Sequence, residues 1–346
     1  MVQLEITPEV ETIAKEYLVR LWTDRKPSTV KAKLREILSN LPDRATIVMK
    51  AEKGGDVDVD IEKAKISDYI QLLIRRYEHL QLMHPKKFNI EIQRFENIIG
   101  KNLIKRKLYY KRKTHLSLAA QIINALGYGV ARKKAYPESA RALKIKSCAY
   151  CNANYAISAD NNEGYYELDH WKPKTKYPYL CTSFYNLQVA CGPCNKRKSD
   201  CDDKKFFRLW CESGKKNRKT FKFFVSQANI ALYWVKCDST KINLKLGVEK
   251  MNDLDLMNGA EKFFRLSKRY KEHNDEAEEV LWKAKAFSRG YFKSLLGGLP
   301  GLIASESDRK RFILGTYPDG DDIHQRPLSL MKQDIGKCAG LRILTR

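Results

Sequence analysis

The sequence predicts an α+β chain, with a mostly helical N-terminal region, a middle module built on cysteine pairs, and a mixed, mainly helical C-terminal region. Three observations carry that prediction. Apolar residues recur at helical spacing over roughly the first 130 residues and again from Lys262 to Ala286. From Ser147 to about Asp200 that periodicity vanishes, and cysteine, asparagine, tyrosine and proline concentrate. Short aromatic runs on either side of a glycine mark the middle module as strand-forming. The expected boundaries are 1–146, 147–205 and 206–346.

Taken in order, Pro27-Ser28-Thr29 precedes an apolar-periodic run from Val30 to Leu41, a capped helix that ends at the Pro42 turn. Lys53-Gly54-Gly55 breaks the pattern, and alternating Val57, Val59 and Ile61 fit a short strand or an extended loop. Ile61 to Leu82 places Ile66, Tyr69, Ile70, Leu73, Ile74, Tyr77 and Leu80 on one helical face. His115 to Leu126 reads as a helix closed by Gly127. In the middle, Tyr155–Ser158 and Tyr165–Leu168 flank Gly164 as a hairpin, and Asn186 to Lys198 reads as a short helix. Phe221–Val225 and Ile230–Val235 have strand composition. Arg326-Pro327-Leu328-Ser329 turns into a final helix.

The chain carries 65 Lys and Arg against 41 Asp and Glu, a formal net charge of +24 over 346 residues. An excess of that size makes a polyanion the expected partner, since basic side chains displace the counterions condensed on phosphate. Hydrophobic residues make up 43%, which excludes wholesale disorder. No apolar run reaches the length of a membrane span, and the first residues lack a basic-then-apolar leader, so a cytoplasmic protein with no membrane partner is expected. In a reducing compartment nine cysteines are not a disulfide framework; two tight pairs and an odd total point to a metal site plus free thiols.

The pairs are Cys148-Ala-Tyr-Cys151 and Cys191-Gly-Pro-Cys194. Each presents two thiolates from one tight turn, and together they complete a closed tetrahedral shell for one structural Zn²⁺. Chance spacing of free thiols is the competing reading. Cys181, Cys201, Cys211, Cys237 and Cys338 lack the spacing and are taken as reduced thiols; His79, His84, His115, His273 and His324 show no companion acid.

Between the pairs run Tyr165-Tyr166-Glu167-Leu168-Asp169-His170-Trp171-Lys172-Pro173-Lys174, then Ser183-Phe184-Tyr185-Asn186-Leu187, leading into Cys191-Gly-Pro-Cys194-Asn195-Lys196-Arg197-Lys198. This order resembles the HNH family of ββα-metal nucleases over about fifty residues, and its wording is similar to the HNH component of the Septu and retron-linked bacterial anti-phage systems. The resemblance implies a zinc-stapled ββα-metal module and an endonuclease, partnered with an ATPase, that hydrolyses phosphodiester bonds. In that reading His170 is the general base, Asp169 and Asn195 hold a divalent Mg²⁺ or Mn²⁺, and Asn186 cross-links the loop and orients His170. The family's third letter is usually histidine. Asn195 stands there instead, and its harder amide oxygen favours Mg²⁺ over Zn²⁺.

Around the site, Lys172, Lys174, Lys176, Lys196, Arg197 and Lys198 are expected to meet a phosphate backbone. Tyr165, Tyr166, Tyr177, Tyr179 and Tyr185 are expected mainly in the core, with Trp171 as the best base-stacking candidate. Lys101–Lys113 and Lys215–Lys222 extend the basic track or form solvated helix faces. DNA is the favoured substrate. RNA, including tRNA, offers the same backbone to such a site, and a non-catalytic zinc module that binds nucleic acid or protein is the third reading. The N-terminal region is then assigned to partner or nucleic-acid binding, and the C-terminal region to packing on the module.

Overall fold

The computed structural model describes residues 1–50, 56–160, 163–203, 206–214, 219–248, 250–288, 290–291, 294 and 305–341, with the backbone alone for 44–50 and 56–60. Helices dominate, and the strands form small sheets of two or four. Among the described residues no helix is long and apolar enough to cross a membrane.

The N-terminal helix, Pro8–Asp24, is capped by the Thr7 hydroxyl and buries Ala14, Tyr17, Leu18 and Leu21. The next helix spans Pro27–Asn40, a start earlier than its apolar pattern predicts. Pro27 takes the first turn, where its missing N–H costs nothing, and Lys26 rather than a hydroxyl residue stands at the cap. The helix stops before Pro42 because a residue preceding proline avoids helical backbone. Asp56–Glu62 is a strand paired with Arg44–Lys50, so Val57, Val59 and Ile61 are strand residues; Lys53-Gly54-Gly55 lies outside the described residues. The helix that follows, Lys63–Gln81, buries every position of the predicted face. Leu118–Leu126 begins three residues later than expected, capped by Ser117, because His115 belongs to the strand Lys113–His115. It ends as predicted at Gly127, whose φ of +77° is left-handed and where a Cβ would meet the Arg25 side chain at 2.7 Å.

Lys101–Lys113 is not one solvated helix face. After a single turn at Lys101–Ile104 the chain forms a hairpin, Leu108–Tyr110 against Lys113–His115, with Lys111 and Arg112 at left-handed φ on its exposed tip. Lys215–Arg218 lie outside the described residues, and Lys219 pairs inward with the buried Asp334.

In the middle, the first hairpin is shorter than predicted: Ile157–Ser158 pairs with Gly164–Tyr165. The second is the one that matters. Glu167–His170 pairs antiparallel with Leu187–Ala190, setting Asp169 opposite Gln188 and His170 opposite Leu187. Leu187–Ala190 is therefore strand, and the predicted helix begins only at Gly192, running to Lys198. All four strand residues are buried, so neither period is visible in them, and their partner strand decides their conformation. Beyond the module, Lys222–Phe224 is a strand as expected, but Ile230–Val235 belongs to the helix Gln227–Lys236. Ser226 caps it, and it buries Ile230 and Tyr233 while leaving Val235 81% exposed, a one-sided helical pattern. Lys262–Ala286 is split among Leu254–Phe264, Leu266–Lys271 and Asn274–Ala286, with Arg265 in left-handed backbone at the first break. The final helix is Ser329–Cys338.

One continuous buried cluster joins residues of all three expected regions. Three N-terminal tyrosines hydrogen-bond to the module's backbone: Tyr17 to the Thr182 carbonyl at 2.8 Å, Tyr128 to Leu168 at 2.7 Å and Tyr136 to Leu187 at 3.3 Å. From the C-terminal region, His324 accepts Lys146 N–H and the Ser147 hydroxyl at its carbonyl, and its Nε2 donates to the Val2 carbonyl at 2.7 Å.

His324 yields a pH prediction. Burial holds its imidazole down at about 4, because a proton added at the buried, unpartnered Nδ1 would meet no acceptor. The unfolded chain takes up that proton near 6.5. Stability from the neutral ring is thus complete above about 6.5 and is lost as pH falls towards 4, on the order of 3 kcal/mol in all. Denaturant unfolding of wild type and His324→Gln across this range should show a flatter acid limb in the variant; parallel limbs would refute the assignment.

Candidate metal centre and catalytic cleft

The four cysteines meet. Cys148 and Cys151 come from the turn before the first hairpin, Cys191 caps the Gly192–Lys198 helix, and Cys194 lies in that helix's first turn. All four sulfurs are buried and lie within 4.8 Å of one another, with Cys151 and Cys191 3.9 Å apart. Tetrahedral zinc with Zn–S near 2.3 Å needs sulfurs about 3.8 Å apart, so the group fits a structural Zn²⁺. Hydrogen bonds from Cys148, Cys191 and Cys194 hold the Cys151 thiol well below the usual range, whereas burial pushes Cys148 up: four packed sulfurs cannot all ionise without a cation.

The cluster has partners that the motif did not disclose. Arg269 donates to Cys194 Sγ at 3.3 Å and Cys151 Sγ at 3.5 Å, and to Asn154 Oδ1 at 2.6 Å. A tetrathiolate around Zn²⁺ carries a net double negative charge, which the guanidinium partly offsets. Asn152, in left-handed backbone and fully buried, sends its amide to Ser147, Ile323 and Arg326 and accepts Leu330 N–H. No spacing rule singles out Arg269, 75 residues from Cys194; Asn152 follows Cys151 directly, where asparagine tolerates the left-handed turn.

Next to the cluster, Asp169, His170 and Asn195 line a single cleft of 370 Å³ with Lys174, Lys196 and Tyr128. His170 Nε2 lies 2.9 Å from the Cys181 carbonyl, which accepts only from a protonated nitrogen. The proton therefore sits on Nε2 and Nδ1 is the basic atom. Burial first, then the Lys174 charge, holds this imidazole well below its usual value, so it is neutral near pH 7. Its ring leans on Tyr128 at 4.8 Å. Asp169 is buried; Tyr150 donates to its Oδ2, and Lys198 Nζ lies 3.3 Å from the same oxygen. The side-chain amide of Asn195 makes no hydrogen bond among the described residues and is half-buried at the cleft wall.

Asn186 is fully buried and staples the intervening loop: Oδ1 accepts Lys172 N–H at 2.8 Å, and Nδ2 donates to the carbonyls of Lys172 and Leu180 at 3.0 Å each. The same loop carries the Cys181 carbonyl on which His170 rests.

The six cations grouped by sequence separate in space. Lys196 and Arg197 are exposed, and Lys176 is half-buried. Lys174 sits at the cleft with its ammonium 3.8 Å over the Tyr128 ring, and burial lowers it from the usual lysine value. Lys172 instead turns inward to Asp202 at 3.0 Å, and Lys198 is fully buried. Trp171 is half-buried, with Phe88 tilted against it and the Lys172 and Arg208 cations over its ring. Tyr166, Tyr177, Tyr179 and Tyr185 are core, whereas Tyr165 is exposed. His84 has the acidic companions that its sequence neighbours hide: Glu212 at 3.1 Å and Glu11 at 3.5 Å.

A weak local similarity accompanies this geometry. The chain is 36% identical over 58 residues to the Septu protein PtuB of Bacillus thuringiensis, a match covering 17% of this chain and 21% of that protein. No family model matches, and no solved structure matches.

Proposed function

We propose that this chain is a metal-dependent HNH-type endonuclease that hydrolyses phosphodiester bonds in DNA, as an effector of anti-phage defence controlled by a partner ATPase. One observation supports it above the others: a neutral imidazole, a carboxylate and an unpartnered amide oxygen line one cleft beside exposed cations. Asp169 Oδ1 and the Asn195 amide oxygen are hard donors that fit Mg²⁺ or Mn²⁺ better than Zn²⁺. When bound, such a cation would neutralise the phosphate and stabilise the leaving oxygen.

The chain's own residues do the rest. His170 Nδ1 takes the proton from the attacking water, while Nε2–H stays on the Cys181 carbonyl and fixes the ring. Asn186 keeps the Cys181 loop in register. Lys174, Lys196 and Arg197 steer the backbone into the cleft, while Lys172 and Lys198 turn inward to Asp202 and Asp169 and do not meet it. The similarity to a Septu protein supports the defence role, and a defence nuclease without visible sequence readout needs a controlling partner.

Purified chain incubated with plasmid or total RNA and Mg²⁺ or Mn²⁺, with and without the candidate ATPase, tests this reading. EDTA-sensitive plasmid cutting is the expected result. Cutting of RNA alone would transfer the activity to the second substrate, and binding without cutting under every metal would leave a non-catalytic zinc module.

A further inference from the structure

The hydrogen bond to the Asp169 carboxylate and its nearest ammonium contact, among the described residues, meet at one oxygen. The Tyr150 hydroxyl donates to Oδ2, and the Lys198 ammonium lies 3.3 Å from that atom, while Oδ1 accepts no hydrogen bond among the described residues. The two side chains hang from opposite halves of the cysteine cluster. Tyr150 is the residue before Cys151, and Lys198 lies one helical turn after Cys194. Both are buried, at 1% and 0% exposure, so water does not compete for Oδ2. Tyr150 packs on Phe264 at 4.8 Å, and Lys198 also donates to the His170 carbonyl at 2.6 Å.

We propose that Tyr150 and Lys198 are positioning residues that clamp Oδ2 of Asp169, so that Oδ1 alone serves the cleft, and that the Lys198 charge keeps divalent-cation affinity low. The clamp rests on the nuclease reading above. A cation at Oδ1 shares its carboxylate with an ammonium group, and like charges a few ångströms apart in a poorly solvated site repel strongly. The geometry also makes the cysteine cluster the carrier of the carboxylate's aim, since neither side chain keeps its place once the two knuckles separate.

The test measures Mn²⁺ binding by the full, zinc-loaded chain alongside plasmid cleavage. Lys198→Met should bind Mn²⁺ about tenfold more tightly, because the repulsion is gone, yet cut about tenfold more slowly, because Asp169 and the His170 carbonyl lose their anchor. General loss of structure does not tighten binding while slowing cleavage. Should that variant fail to fold, Lys198→Gln keeps a donor without the charge and should show the same tightening. Tyr150→Phe, neutral on both sides, should weaken Mn²⁺ binding about tenfold by freeing the carboxylate to rotate, with zinc content and Tm retained. Wild-type Mn²⁺ affinity in both variants overturns the clamp, and weaker binding in a zinc-loaded Lys198→Met overturns the role of its charge. A wild-type chain that neither binds Mn²⁺ nor cuts overturns instead the nuclease reading on which the clamp depends.

Discussion

His170→Ala should lower the cleavage rate about 10²- to 10⁴-fold, the range that a positioned general base supplies. The reason is specific to this ring. Its Nε2–H is committed to the Cys181 carbonyl, so Nδ1 is the atom left to accept a proton, and burial keeps that atom unprotonated near neutral pH. Alanine also leaves the Cys181 carbonyl without its donor, at a cost of about 1–3 kcal/mol, so some stability goes with the activity. The cysteine cluster does not use His170, and zinc content should stay at one per chain. Single-turnover plasmid cleavage on zinc-loaded protein checks this. A variant that cuts at the wild-type rate removes His170 from the reaction.

The second large effect is on folding. Cys148→Ser should cost more than about 4 kcal/mol and release the zinc, because a buried hydroxyl is a poor ligand and an incomplete shell leaves three packed sulfurs without their cation. Damage should spread from there. Ala149 N–H holds the Val189 carbonyl at 2.9 Å, Tyr150 holds Asp169, and Asn152 ties the C-terminal segments to the knuckle. Metal analysis together with thermal unfolding reads the result. A variant that keeps its zinc and melts like wild type would mean that the four sulfurs do not form one site.

Local pattern carried much of the architecture. Helices with a clean apolar stripe, Lys63–Gln81 above all, were legible because one buried face leaves its period in the sequence. Leu187–Ala190 and Ile230–Val235 were not. The first is buried on both faces and so has no period, and the second is a helix whose β-branched residues partly face solvent. The short strands Leu4–Glu5 and Trp210–Cys211 pair in parallel although they lie far apart in the chain, a contact that no local signal encodes.

The cysteine pairs were readable by themselves, because metal ligation demands particular residue types at short, fixed spacing, whereas the Asp-His, Asn and Asn-Lys-Arg-Lys steps took their meaning from the family resemblance. Charge was readable only as a sum. Which lysines face outward was decided by tertiary structure: Lys172 and Lys198 stand in the same basic runs as Lys174 and Lys196, yet Asp202 and Asp169 draw them inside. The histidine tautomer, the outer support by Arg269 and the contacts of Tyr150 and Lys198 on Asp169 belong to the folded state as well. Each depends on groups far apart in the chain, or on which of two like atoms a neighbour reaches. Spacing along a sequence records what one turn can bring together, and only packing decides what several elements bring to one carboxylate.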